Sequence, residues 1–180
     1  MNIEQRGTGP APATGIDALA VAIGTSHGAY KFAQAPDGEV LKMSLIEEIH
    51  QRLPETHLVM HGSSSVPPEL VEQINRYGGS LKPAWGVPVK EIQLGIRHGV
   101  RKINVDTDSR LAVTGAIRKV FAESPEKFDP RDYLKPARAA MQALIAERMQ
   151  DFGQAGHAGD YEAISLDEMK AGYATAAAAV

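Results

Sequence analysis

The amino-acid sequence predicts an α/β protein built on a parallel sheet, and three observations carry that prediction. A unit of apolar strand, polar loop and amphipathic helix occurs three times in succession, at the spacing of right-handed βα units. The strands are short apolar runs with little alternation, as expected where both faces of a strand are buried. Each run ends in polar, chemically capable residues, "GTSHGAYK", "HGSSS" and "NVDTD", at the carboxyl ends where such sheets collect ligands.

The elements follow in order. Residues 1 to 15 are rich in Gly, Pro, Ala and Thr without periodicity and read as a flexible lead-in to one domain over residues 16 to 180. "DALAVAI", Asp17 to Ile23, is the first strand. "SLIEEIHQRLP" is a helix whose Leu45, Ile46, Ile49 and Leu53 share a face; Ser44 suits its N-cap with Glu47 three residues on, and Pro54 lies past its end. "HLVM", residues 57 to 60, is the second strand, and "PPELVEQINRYGG" a helix entered through two prolines and left at two glycines. "SLKPAW" is a loop, and "VPVKEIQLGIRHG" a helix with Ile92 and Ile96 on one side. "RKINVD", residues 101 to 106, is the third strand, followed by the helix "SRLAVTGAIRKVFAES". Beyond residue 125, "DPRDYLKPARAAMQALIAERMQDFG" reads as one helix, and Leu166 to Tyr173 as a last short one before an alanine-rich tail.

Composition narrows the function. A chain of 180 residues with 43% hydrophobic content is long enough for one ordinary core. A net charge of −3 and a pI near 6.1 give no basic field for nucleic acid or an anionic membrane, and Trp85 and the tyrosines are too scattered to form a stacking platform. No run approaches the roughly 20 apolar residues of a membrane span, and the N-terminus lacks the marks of a signal peptide. The absence of cysteine excludes disulfides and thiolate metal sites. A cytoplasmic protein acting on small solutes suits all of these.

The strand ends supply the candidate chemistry. His27 and His61, each followed by glycine at the end of successive strands, can converge on one metal ion or can simply terminate strands. Gly28 and Gly62 permit unusual dihedral angles and close backbone approach. "HGSSS", just before a helix start, offers hydroxyls and successive N–H groups to an anion, and Lys31 adds positive charge near the first histidine. Asn104, Asp106 and Thr107 stand at the third strand end; Asp108 is well explained as an N-cap for a helix beginning at Ser109. His50, His57, His98 and His157 sit on or beside helices and read as surface or structural residues.

"AVAIGTSHGAYKF", "HLVMHGSSSVP", "GVPVKEIQLGIRHGVRKINVDTDSRLA" and "DPRDYLKPA" together resemble the C-terminal half of a class II, zinc-dependent fructose-bisphosphate aldolase, in the branch found in Calvin-cycle operons. The resemblance covers about residues 14 to 175. It implies that the chain is the last three βα units of a TIM (β/α)8 barrel, cytoplasmic, and a homo-oligomer when full length. The implied reaction is reversible aldol cleavage of fructose 1,6-bisphosphate to dihydroxyacetone phosphate and glyceraldehyde 3-phosphate through a zinc-stabilised enediolate. By match of motif, His27 and His61 are two of three zinc ligands, and some members add a monovalent cation near Gly28 and Gly62. Gly28, Lys31, Gly62, Ser64, Asp106 and Thr107 form the phosphate pocket, and Asn104 is the catalytic contact to the substrate hydroxyl or enediolate. Lys135, Arg131 or Arg138 is the counterpart of an arginine that reaches the second phosphate of a neighbouring subunit.

The family's first zinc histidine, its acid–base aspartate and its loop glutamate have no counterpart in these 180 residues. The isolated chain is therefore expected to be poorly stable, to bind zinc weakly and to lack appreciable aldolase activity, with an open sheet edge and an uncovered face. Tagatose- or sedoheptulose-bisphosphate aldolase, and a non-catalytic fragment pairing with an aldolase subunit, stand as alternatives.

Overall fold

Three short strands form one parallel sheet in the order of the chain: β1 (Ala18–Val21), β2 (His57–Met60) and β3 (Val100–Ile103). They belong to a computed structural model that describes residues 15–21, 23–24, 32 and 40–178, so the predicted lead-in lies almost wholly outside the described residues. Leu19 pairs with Leu58 and Val21 with Met60. Between β2 and β3 the register shifts, Leu58 facing Val100 and Val59 facing Lys102.

One face of the sheet carries the core. Val21, Leu58, Met60 and Val100 pack with Ile23, Leu41, Met43, Ile46, Val87 and Ile92 in a single buried cluster. Full burial of side chains such as Ile46, Leu58 and Ile92 contributes about 1.5–3 kcal/mol each. The opposite face bears Ala18, Ala20, His57 and Lys102, all exposed. The expectation of strands buried on both faces is thus corrected. The strands alternate, and the small Ala side chains that made the first run look continuously apolar point to the face that no other described layer covers.

Helices follow each strand as the sequence pattern requires. α1 (Met43–Arg52) lies between β1 and β2. It starts at Met43, with Lys42 in the capping position and no side-chain cap, so the expected Ser44 cap is not formed. Leu41 and Met43 are both drawn into the core, and that burial sets the helix start ahead of the serine. α2 (Pro68–Arg76) and α3 (Val89–Arg97) both lie between β2 and β3 and each begins after a proline, whose fixed φ suits helix entry.

α4 (Thr107–Glu123) follows β3, and α5 (Pro130–Asp151) packs along it, burying Ala137, Leu144 and Arg148. Asp129 caps α5 by accepting from the Arg131 amide at 2.9 Å. A second cluster of Val66, Val71, Ile74, Ala84 and Leu111 joins α2 to α4. A 3₁₀ turn (Ala158–Asp160) leads to α6 (Leu166–Ala178), which runs beyond the expected end at Tyr173 because alanine is the strongest helix former. No helix among the described residues is long and apolar enough to cross a membrane.

Candidate functional site

The carboxyl ends of β2 and β3 lie side by side, and pairing continues past both. The Asn104 amide donates to Met60 O at 3.0 Å, and the Ser63 amide to Asn104 O at 3.4 Å. Between them Gly62 adopts φ 66, a left-handed turn that glycine accepts without a Cβ penalty. His61 and Asn104 therefore emerge as neighbours, with Asn104 Nδ2 2.9 Å from His61 Nδ1 and 3.1 Å from Nε2. Lys102 Nζ donates to Asn104 Oδ1. A lysine can only donate, so this bond fixes which end of the amide faces His61. The facing imidazole nitrogen then accepts; a neutral ring has one such lone pair, so ligation of a metal there requires Asn104 to give up this bond.

After His61 the chain makes a tight loop against the start of α4. Ser64, only 3% exposed, accepts at Oγ from the amides of Asp106 (3.2 Å) and Thr107 (3.1 Å). The Ser64 carbonyl accepts from the Val87 amide at 3.1 Å. Gly86 packs so closely behind this stretch that a Cβ there would lie 2.1 Å from Ser64 O. Hydroxyls, amides and the positive end of a 17-residue helix thus meet in one place, a combination that favours an anion. Ser65 Oγ is buried with no hydrogen-bond partner among the described residues.

Of the predicted residues, His61, Gly62, Ser64, Asn104, Asp106 and Thr107 are brought together. Asp106 sits at the open rim, its side chain 70% exposed and ion-paired with Arg110 at 2.9 Å. His27, Gly28 and Lys31 lie outside the described residues. Among the described residues no three His, Asp or Glu side chains converge on a metal position. The two-ligand set expected from this chain therefore stands half in view. Arg131, Lys135 and Arg138 occupy the exposed first turns of α5, where Arg131 folds back on Asp129. That contact holds the Asp129 carboxyl below its usual range and pushes the guanidinium up.

Two expectations are corrected here. α4 begins at Thr107, so Asp108 lies inside its first turn and does not cap it. Its carboxylate turns away to accept from the Ser65 amide at 3.0 Å and the Val66 amide at 2.8 Å. His57 is the first residue of β2 and exposed, not beside a helix. Of the remaining histidines, His98 meets Glu47 at 3.2 Å and His157 meets Asp160 at 2.6 Å.

Sequence reasoning missed Arg110, Lys102 and Glu91, and misread Asp108. Arg110 was readable as a partner four positions after Asp106 on a helix. Lys102, which orients Asn104, left no signal beyond a charge in a strand. Asp108 and Glu91 both sit in first turns, where acids ordinarily answer the helix dipole. Each instead reaches across the fold to amides of a distant loop, Glu91 accepting from Val40 at 2.9 Å and Leu41 at 2.6 Å. A groove of about 550 Å³ with mixed lining, including Ile103, Met141, Phe152, Arg101, Arg148 and Gln154, lies between β3 and α5.

The comparison with protein families decides the relationship, because the model of class II fructose-bisphosphate aldolase matches residues 10–157. This chain belongs to that family. A fructose-bisphosphate aldolase of Nostoc commune is 61% identical over 162 residues, 90% of this chain and 45% of the relative. Fructose-bisphosphate aldolase 2 of Cereibacter sphaeroides is 56% identical over 166 residues, 92% of this chain and 47% of the relative. A crystal structure described as a fructose-1,6-biphosphate aldolase from Coccidioides immitis aligns with a TM-score of 0.54 at 26% identity, over 83% of this chain and 42% of that one. The aldolase chain thus spans about half the length of the curated relatives it matches.

Proposed function

We propose that this chain is the metal- and phosphate-binding part of a class II fructose-bisphosphate aldolase, acting in reversible cleavage of fructose 1,6-bisphosphate to dihydroxyacetone phosphate and glyceraldehyde 3-phosphate. The observation that carries the reading is the juxtaposition of His61 and Asn104 beside the Ser64 loop and the start of α4. One end holds a group suited to a metal, the other a cradle suited to phosphate. In this reading the three strands are the last three of an eight-stranded barrel, residues 16 to 180 form its C-terminal portion, and residues 1 to 15 lead into it.

The donor chemistry fits zinc, since imidazole is a preferred ligand and the His61 ring nitrogen becomes available once Asn104 turns from it to substrate. His27 and His61 would hold the ion together with a third family histidine. Zinc, when bound, supplies the polarisation of the substrate ketone that acidifies the neighbouring C–H. The chain's own residues do the positioning. The hydroxyls of Ser64 and Thr107, with the backbone at Gly28 and Gly62, would bind the phosphate, and Lys31 would balance its charge. Asp106, tethered by Arg110, closes the rim. Asn104, its amide oriented by Lys102, donates to the hydroxyl of the dihydroxyacetone end. As in some members of the family, a monovalent cation would sit near Gly28 and Gly62. Lys135, Arg131 or Arg138 would serve the second phosphate of a neighbouring subunit in a homo-oligomer.

The test is complementation. The chain is mixed with an N-terminal half of a class II aldolase and assayed for fructose 1,6-bisphosphate cleavage. Chelator-sensitive turnover that His61→Ala abolishes supports the proposal; turnover indifferent to the chelator or to His61→Ala refutes it.

A further inference from the structure

We propose that Asp108 is a positioning residue whose buried carboxylate holds the Ser63-to-Val66 loop in the shape that presents it to phosphate. The inference rests on reading that loop as the phosphate cradle. Asp108 is 0% exposed, and a buried charge must be matched by donors. Its two oxygens face inward: Oδ1 accepts from the Val66 amide at 2.8 Å, and Oδ2 accepts from the Ser65 amide at 3.0 Å. Arg148, from α5, brings Nη2 to 3.7 Å from Oδ2. Fully buried, Asp108 does not reach a ligand, and its effect on one passes through the loop.

The loop needs such a hold. Val66 adopts φ 51, in the left-handed region that β-branched residues avoid, and persists there only if its surroundings over-determine it. The bond from Asp108 falls on the amide of that same residue. One turn of α4 thus grips the loop at successive points. Asp106 and Thr107 hold Ser64 Oγ through their amides, and Asp108 holds the next two residues through its side chain. Loop and helix start become one body. Without the carboxylate, Val66 is released toward ordinary φ values, and Ser64 shifts with it.

Arg148 extends the arrangement to α5. Its side chain is 9% exposed and also bonds Glu147 at 3.0 Å and Asp151 at 2.8 Å. A cation in that place answers the charge of Asp108 and ties the docking of α5 to the loop. Two consecutive amides directed at one charged acceptor form charge-assisted bonds, stronger than neutral ones.

Amide hydrogen exchange and titration with dihydroxyacetone phosphate test the inference on the full chain. Asp108→Asn should speed exchange at Ser65 and Val66 by about tenfold and weaken dihydroxyacetone phosphate binding by about tenfold, the loss of at least one charge-assisted bond. Exchange in the interiors of α2 and α4 should change less than about twofold. Arg148→Gln keeps both acceptors and should give a smaller acceleration confined to the same two amides. If Asp108→Asn does not fold, that second variant decides alone. Unchanged exchange at Ser65 and Val66, or an acceleration spread evenly over the chain, would overturn the positioning role. Failure of the unsubstituted chain to bind dihydroxyacetone phosphate would instead sink the phosphate reading and the functional half of the inference, while exchange still reported whether Asp108 holds the loop.

Discussion

Replacing Gly86 by alanine puts one methyl group where the fold has no room. The new Cβ would stand 2.1 Å from Ser64 O, 2.5 Å from Ser65 C and 2.7 Å from Ser65 O. Ordinary contact to carbon begins at about 3.5 Å, so the two segments must part by more than about 1 Å. All three atoms are backbone, and no flexible side-chain end can swing aside. The Ser64 carbonyl is also the acceptor for the Val87 amide, so parting the segments strains that bond. Overpacking costs about 1–3 kcal/mol and the weakened bond about 1 kcal/mol more, giving a loss of about 2–4 kcal/mol in urea denaturation. Dihydroxyacetone phosphate binding should weaken at least about tenfold, because a cradle displaced by about 1 Å no longer fits its ligand. Gly95→Ala is the control. Its Cβ would meet Val100 Cγ2 at 3.5 Å and Ile46 Cδ1 at 3.7 Å, both ordinary contacts. In the interior of α3 it should stabilise by about 0.5–1 kcal/mol. A Gly86→Ala chain with unchanged stability and affinity would refute the reasoning, as would a Gly95→Ala chain that is the more damaged of the two.

Two further predictions concern the anchors of the fold. Glu91→Gln weakens the charged acceptor for the Val40 and Leu41 amides and should cost about 1–3 kcal/mol. The loss is read as faster exchange at those two amides. For Asp129 the sign follows from its depressed carboxyl, held down by the Arg131 side chain and then by its amide. Its stabilisation of α5 is present above the ordinary value of 3.8 and is lost as pH falls through the lower folded-state value. Circular dichroism and exchange over the first turn of α5 should show fraying in that acid range, and Asp129→Asn should remove the pH dependence.

The sequence was most informative where the signal was local. Three strands, their order and the helices after them follow from apolar periodicity and from proline and glycine punctuation, and boundaries shifted only by a few residues. Ser44 failed as a cap because burial of Leu41 and Met43 outweighed a single hydrogen bond. The apparent two-sided burial of β1 failed because alanine is apolar without requiring cover. The strand-end residues His61 and Asn104 meet, and Ser64 lies against Thr107. What sequence could not convey is long-range pairing of ordinary-looking charges. Asp108 reads as a cap and Glu91 gives no signal, and only the fold shows that each reaches a loop more than 40 residues away.

The account stands or falls on whether His61 belongs to a metal site coupled to the phosphate cradle. Calorimetric titration of zinc into the chain, with and without dihydroxyacetone phosphate, measures this directly. The account predicts zinc binding that His61→Ala weakens at least about tenfold, the order expected for loss of a ligand, and tighter dihydroxyacetone phosphate binding once zinc is present. Zinc affinity indifferent to His61→Ala, or phosphate-ligand affinity indifferent to zinc, would contradict it.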